Sequence, residues 1–201
     1  MQLELVFIRH GMTAGNEERR YIGQSDDQPL AARGREQLIA WRDAHRYPAV
    51  DAVYASPLSR CQETARLLYP MLVPVTLPKL IEINLGSFEG KTYEQLQGDP
   101  AFKRWLESGG MIPPPGGESG AEVRQRLLLA LGEIAADAQR CHFHRAAVVT
   151  HGGCIMALFQ QMSAFPDGDI YRFTTPNGGG YTAVLDTQIQ QLSHILPLSA
   201  D

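Results

Sequence analysis

Residues 5–16 read LVFIRHGMTAGN. An apolar run of Leu, Val, Phe and Ile stops abruptly on Arg9, His10 and Gly11. A run this short, rich in β-branched and aromatic residues, fits a strand buried on both faces, over residues 3–8. Polar groups at its carboxyl end then have a natural destination, because open α/β sheets bind ligands in the crevice outside the carboxyl ends of their strands.

Two further stretches repeat the plan. In AVYASPLSR (52–60) an apolar segment at 52–55 runs into Ser56, Pro57 and Arg60, and in AAVVTHGG (146–153) a segment at 146–149 runs into Thr150, His151, Gly152 and Gly153. Between them lie stretches of helical spacing at 34–47, 57–69 and 118–140, the last with Val123, Leu127, Leu131 and Ile134 on one face. Strands alternating with helices predict an α/β fold, a three-layer α/β/α sandwich around a mostly parallel sheet. Residues 75–77, bracketed by Pro74 and Pro78, suit an edge strand, and 181–186 with 190–196 suit a closing antiparallel hairpin. The pattern weakens over 86–117, which reads as a partly helical insertion over the sheet edge, a candidate lid.

Composition narrows the function classes. The chain of 201 residues is read as a single domain, residues 1–201, because domains commonly hold about 100 to 200 residues. With 44% hydrophobic and 20% charged residues it can bury a core and is not biased to disorder. A net charge of -4 gives no basic face for nucleic acid, although local arginines still allow a small anionic ligand. Cys61, Cys141 and Cys154 are odd in number and lack CxxC spacing, against a disulfide framework and a zinc knuckle, and they predict a reducing cytoplasm. The MQLELVFIRH start is unlike an export signal, and no run of about 18 apolar residues predicts a membrane span. Monomer and homodimer both stay open.

The polar strand ends suggest a chemistry. Ser56 before Pro57 is a good helix start, with serine as N-cap. Arg60 then falls in the first turn, where the helix dipole disfavours a cation and favours an anion, so a bound phosphate would resolve the mismatch. Two histidines and two arginines around one helix N-terminus suit phosphoryl transfer, whose transition state spreads negative charge over three oxygens. Arginine supplies fixed, bidentate donors to them. A neutral imidazole can be the nucleophile when one ring nitrogen is free and the other is tied to an acceptor, such as a backbone carbonyl that a following glycine lets the chain supply.

Four segments together, RHGMTAGN (9–16), SPLSRCQETA (56–65), LIEINLGSFEG (80–90) and VVTHGG (148–153), resemble the histidine phosphatase superfamily in its phosphoglycerate-mutase-like branch. The resemblance spans 5–153 in the family's order. It implies that His10 is the phosphorylated nucleophile, that Arg9, Arg60 and His151 clamp the phosphate, and that Glu82 gives a proton to the leaving oxygen and later activates water. Asn16, Gly23 and Gly152 follow as further substrate contacts, with no metal and no cofactor. Met12 and Ile22 depart from the family pattern and put secondary phosphate contacts in question. A carboxyl that acts as an acid near neutrality needs a raised pKa, hence partial burial.

Rival readings are weaker. A cysteine phosphatase would need arginines where Leu67, Ala147 and Gln160 stand. Asp167 and Asp169 in FPDGDIY follow no predicted strand, so a loop is expected there rather than an aspartate phosphatase. His142 and His144 in CHFHR are expected in an exposed connection rather than on a metal, and Leu127, Leu128, Leu129 and Leu131 in the core. A phospho-ligand binding module would need neither His10 nor Glu82. A mutase would want extra cations, yet 86–117 carries only Lys91, Lys103 and Arg104, so water is the expected acceptor. EINLGSFEG and the chain length are most similar to α-ribazole-5′-phosphate phosphatases, which implies a small phosphorylated metabolite of cobalamin assembly. A broad-specificity or sugar phosphatase is the alternative. Phe88, Tyr93, Phe102 and Trp105 are expected either to cover an apolar base or to form the insertion's own small core.

Overall fold

Strand alternation sorts the apolar residues onto two faces. In the computed structural model, which describes residues 1–162, 170–188 and 190–198, strand β1 (Gln2–Arg9) sends Leu3, Leu5 and Phe7 to one side and Val6 and Ile8 to the other, all essentially buried. Strand β4 (Arg145–Thr150) does the same with Ala146 and Val148 against Ala147 and Val149. A strand that alternates between two buried faces must lie inside a sandwich.

Strands β2 (Ala52–Ala55), β3 (Val75–Thr76), β5 (Gly180–Asp186) and β6 (Gln191–Pro197) complete a six-stranded sheet of order β3-β2-β4-β1-β5-β6. β3-β2-β4-β1 run parallel, whereas β5 pairs antiparallel with β1 and β6 antiparallel with β5. This is the expected three-layer α/β/α architecture. After a four-residue turn of helix α1 (Ala14–Glu17), helices α2 (Ala32–Asp43) and α3 (Ser59–Leu68) cover one face through Leu38, Cys61, Ala65 and Leu68. Short helices α4 (Tyr93–Leu96) and α5 (Pro100–Glu107) belong to the 86–117 segment, and α6 (Gly120–Cys141) and α7 (Gly152–Met162) cover the other face.

Several boundaries move. The second long helix begins at Ser59 rather than Pro57, with Leu58 at its N-cap and no side-chain cap there, so Ser56 is not the cap. Asp27 accepts from the Ser59 backbone N–H at 2.7 Å instead, and Ser56 is freed for the site. Leu127 and Leu131 are core, whereas Leu129 is exposed on the outer side of α6. His142 ends that helix in the left-handed region (φ 56°). Asp167 and Asp169 lie outside the described residues. Among the described residues the three cysteines are free thiols, no helix is long and apolar enough to cross a membrane, and no cluster of metal-ligating side chains occurs.

The antiparallel edge has a consequence for the site. Because β5 runs against β1, with Ile8 opposite Gly180, the loop leading into β5 lies at the carboxyl end of β1. There Asn177 and Gly178 donate to the carbonyls of Arg9, His10 and Gly11.

Candidate active site

The chain leaves the sheet at His10, whose backbone N–H donates to the Thr150 carbonyl at 3.0 Å. Its ring nitrogen Nδ1 lies 2.7 Å from the Gly11 carbonyl oxygen. A carbonyl can only accept, so Nδ1 carries the hydrogen and Nε2 keeps its lone pair. The ring is buried, and burial, followed by the charges of Arg60 and Arg9, holds its pKa well below that of an ordinary histidine. The imidazole is therefore neutral at pH 7, with one nitrogen pinned and the other keeping its lone pair.

Two guanidiniums flank it. Arg60, the second residue of α3, is fully buried and donates to the carbonyls of Asp26 (2.8 Å) and Gly23 (3.1 Å). Arg9 donates to the Thr175 carbonyl at 2.8 Å. Neither forms an ion pair among the described residues, and Nε of each has no hydrogen-bond acceptor. Buried cations are ordinarily paired with carboxylates. Here backbone carbonyls hold them in geometry with no carboxylate at ion-pair distance among the described residues, which leaves their charge available to a phosphoryl group.

His151 faces His10 with ring centroids 5.2 Å apart, and its Nε2 lies 2.8 Å from Ser56 Oγ. Its pKa is also held low, by burial first and then by neighbouring His10 and the arginines. Glu82 comes from irregular backbone after β3; its Oε2 is 3.8 Å from His151 Nδ1 and its Oε1 accepts the Ile83 backbone N–H at 2.9 Å. Burial raises the carboxyl pKa, opposed by the Ile83 N–H and by Arg60, Arg9 and Arg126. The two glycines after His151 make room. A Cβ on Gly152 would sit 3.3 Å from Arg9 Nε, and one on Gly153 3.0 Å from Glu82 Oε1 and 2.8 Å from Ile83.

The remaining expected residues divide. Asn16 lines the cavity and its Oδ1 accepts from Asn177 Nδ2 at 2.9 Å. Gly152 lines it beside Arg9. Gly23 does not line it and acts through its carbonyl on Arg60; a side chain there would overlap the Glu89 carboxyl. Ile22 is part of the apolar wall, and Met12 contributes its carbonyl, which accepts from Ala31 N–H. Sequence reasoning missed Asn177, whose amide also donates to the His10 carbonyl at 3.2 Å, and the role of Ser56. The signal for Asn177 was the TPNGGGY loop entering β5, legible only once that strand is known to run against β1.

Arg9, His10, Asn16, Glu82, Gly152 and Gly153 form the floor of a cavity of about 330 Å³, whereas the fully buried Arg60 and His151 do not line it. Its walls are mostly apolar, from Ile83, Leu85, Trp105, Leu106, Met111, Val123 and Met156, with Arg20, Arg124 and Glu118 also lining it. Of the four aromatics in the insertion, Phe88 and Phe102 are buried in that segment's own core and Tyr93 is half exposed. Trp105 packs on that core and alone of the four lines the cavity. The arrangement can accept a phosphoryl group at a neutral imidazole, balance its charge with two arginines, and exchange a proton with a carboxyl whose pKa burial raises.

Comparison with known proteins identifies the family and the fold. Residues 5–195 match the model of the histidine phosphatase superfamily (branch 1). Over 169 residues, 77% of this chain and 74% of the relative, the sequence is 32% identical to GpmB of Yersinia enterocolitica, named "Probable phosphoglycerate mutase". The alpha-ribazole phosphatase of Shigella flexneri superposes with a TM-score of 0.78 at 26% identity, covering 96% of both chains. A mycobacterial glucosyl-3-phosphoglycerate phosphatase superposes with a TM-score of 0.82 at 25% identity, covering 96% of this chain and 97% of that one. The chain belongs to the histidine phosphatase superfamily, branch 1, and is an enzyme of the phosphatase type.

Proposed function

We propose that the protein hydrolyses a small phosphomonoester through a phosphohistidine at His10, with Glu82 as acid and then base. The observation that carries this reading is the neutral, pinned imidazole of His10 beside a fully buried and a half-buried arginine, neither of which forms an ion pair among the described residues. Nε2 attacks phosphorus as the ester P–O bond breaks, and Glu82 gives its proton to the departing oxygen. The resulting carboxylate takes a proton from water as the water oxygen attacks phosphorus and the P–N bond breaks, which returns neutral His10, protonated Glu82 and inorganic phosphate. Arg9, Arg60 and His151 hold the transferring oxygens, with Asn16 and Gly152 beside them; Gly23 acts by orienting Arg60. The segment 86–117 serves as the lid of a single domain.

The substrate we favour is α-ribazole 5′-phosphate. A flat, apolar base suits walls made of Trp105, Leu106, Val123 and Met156. A second reading, a phosphorylated sugar acid, is favoured by Arg124, which also lines the cavity. Its NH1 lies 3.0 Å from the thioether of Met111, a weak acceptor, and it forms no ion pair among the described residues. A second anion on the substrate would find a partner there.

A metabolite panel containing both classes separates them. The expected result is a kcat/KM for α-ribazole 5′-phosphate at least about tenfold above that for 3-phosphoglycerate, the worth of one good apolar contact. The reverse order, abolished by Arg124→Ala, would establish the sugar-acid reading.

A further inference from the structure

Glu82 has to present its carboxyl to the leaving oxygen from a segment, residues 81–85, that belongs to no helix or strand. A regular element fixes its side chains through its own hydrogen-bond ladder; an irregular one needs donors from elsewhere. Arg126, on α6, supplies them. Its side chain is only 15% exposed, and all three of its nitrogens are engaged. NH1 donates to the carbonyls of Lys79 (2.9 Å) and Ile81 (2.6 Å), and NH2 to the carbonyl of Glu82 itself (3.2 Å). The fork of Nε and NH2 also clasps Glu118, at 2.8 and 3.0 Å. Glu118 in turn accepts the Asn84 backbone N–H at 3.1 Å, and its own N–H donates to the Asn84 carbonyl at 2.9 Å.

We infer that Arg126, braced by Glu118, is the positioning residue for the proton donor Glu82, fixing the backbone on either side of it to α6. The inference rests on the proposed acid role of Glu82. Five hydrogen bonds from one guanidinium, three to carbonyls within four residues, demand the planar fork of arginine; lysine has one nitrogen and cannot reproduce them. Arg126 itself does not line the cavity. It acts on the reaction through the placement of Glu82.

The test is a double-mutant cycle read with two leaving groups. General acid catalysis matters most when the departing oxygen is a poor leaving group, so misplacing the acid should penalise alkyl phosphates selectively. Arg126→Gln is expected to lower kcat on β-glycerol phosphate about 10- to 100-fold. Its loss on p-nitrophenyl phosphate should be at least about fivefold smaller. In a Glu82→Gln background the same change should cost less than about twofold on either substrate, because the acid it positions is already gone. Arg126→Lys, which keeps the charge and loses the fork, should show the same pattern more weakly and carries the cycle if Arg126→Gln does not fold.

Equal losses on both substrates, or a full loss on top of Glu82→Gln, would mean that Arg126 merely holds the fold together and would overturn the inference. Failure of the underlying reading looks different. Glu82→Gln alone would then slow both substrates equally, whatever Arg126→Gln does, and the inference would fall with it.

Discussion

On the floor of the cavity Arg9 and His10, and in the buried layer about them Arg60 and His151, come from three strand ends of the sheet, and His10, Arg9 and Arg60 are tied to backbone carbonyls. On its roof, Leu85, Trp105, Leu106 and Met111 come from the stem and body of the segment after β3, and that segment has a core of its own in Leu85, Phe88, Leu96 and Phe102. The floor concentrates positive charge where burial makes charge expensive; the roof contributes apolar surface and no cation stronger in position than its rim. The division has a consequence. Chemistry should depend on the floor with every substrate, whereas the roof should matter only to substrates with something to place against it.

The largest separable effect is expected on the floor and in the buried layer about it. Arg60→Ala removes one of two preorganised donors to the transferring oxygens and should lower kcat/KM about 10²- to 10³-fold. The factor should be similar for p-nitrophenyl phosphate and for an alkyl phosphate, because both develop the same charge on phosphorus. A loss confined to one substrate class, in steady-state assays of the two, would move Arg60 from the chemistry to substrate selection.

A smaller and selective effect is expected on the roof. Trp105→Ala should reduce kcat/KM for a phosphomonoester with a large apolar leaving group by about tenfold, the scale of one lost apolar contact. For glycerol phosphate, which cannot reach the wall, the change should stay within about threefold. Because Trp105 also packs on Phe88 and Phe102, with ring centroids 5.8 Å from each, the thermal midpoint should be recorded for the same variant. If glycerol phosphate suffers as much as the bulky ester, roof and floor are one mechanical unit and the division fails.

The same contrast explains what the sequence disclosed. The floor was legible because its signals are local: RHG at the end of an apolar run, HGG at the end of another, and an arginine in the first turn of a helix. Each short segment carries both its own structure and its own polar residue, so only the sheet had to be assumed to bring them together. Even the pinning of the His10 ring is local, since the acceptor is the next residue's carbonyl.

What escaped was long-range. Ser56 has the sequence setting of an N-cap, yet α3 starts at Ser59 and the hydroxyl is drawn to a histidine 95 positions away. Asn177 reaches His10 across 167 positions, and Arg126 reaches Glu82 across 44. No periodicity encodes such pairs. The insertion's aromatics were ambiguous for a related reason: whether Phe102 faces a ligand or its own neighbours depends on how α5 folds back, and it sets Phe102 against Phe88 and Tyr21. Leu129 belonged by type to the core and by phase to the exposed side of α6, and phase decided.

The account stands or falls on the bond that forms at His10. The protein should be mixed rapidly with a ³²P-labelled phosphomonoester, quenched in alkali to preserve phosphoramidates, digested, and the label located by peptide mapping. The label is expected on the imidazole of His10, lost on acid treatment and absent from His10→Ala, whose turnover should fall at least about 10⁴-fold. Label on another side chain, or turnover that survives in His10→Ala, would contradict it.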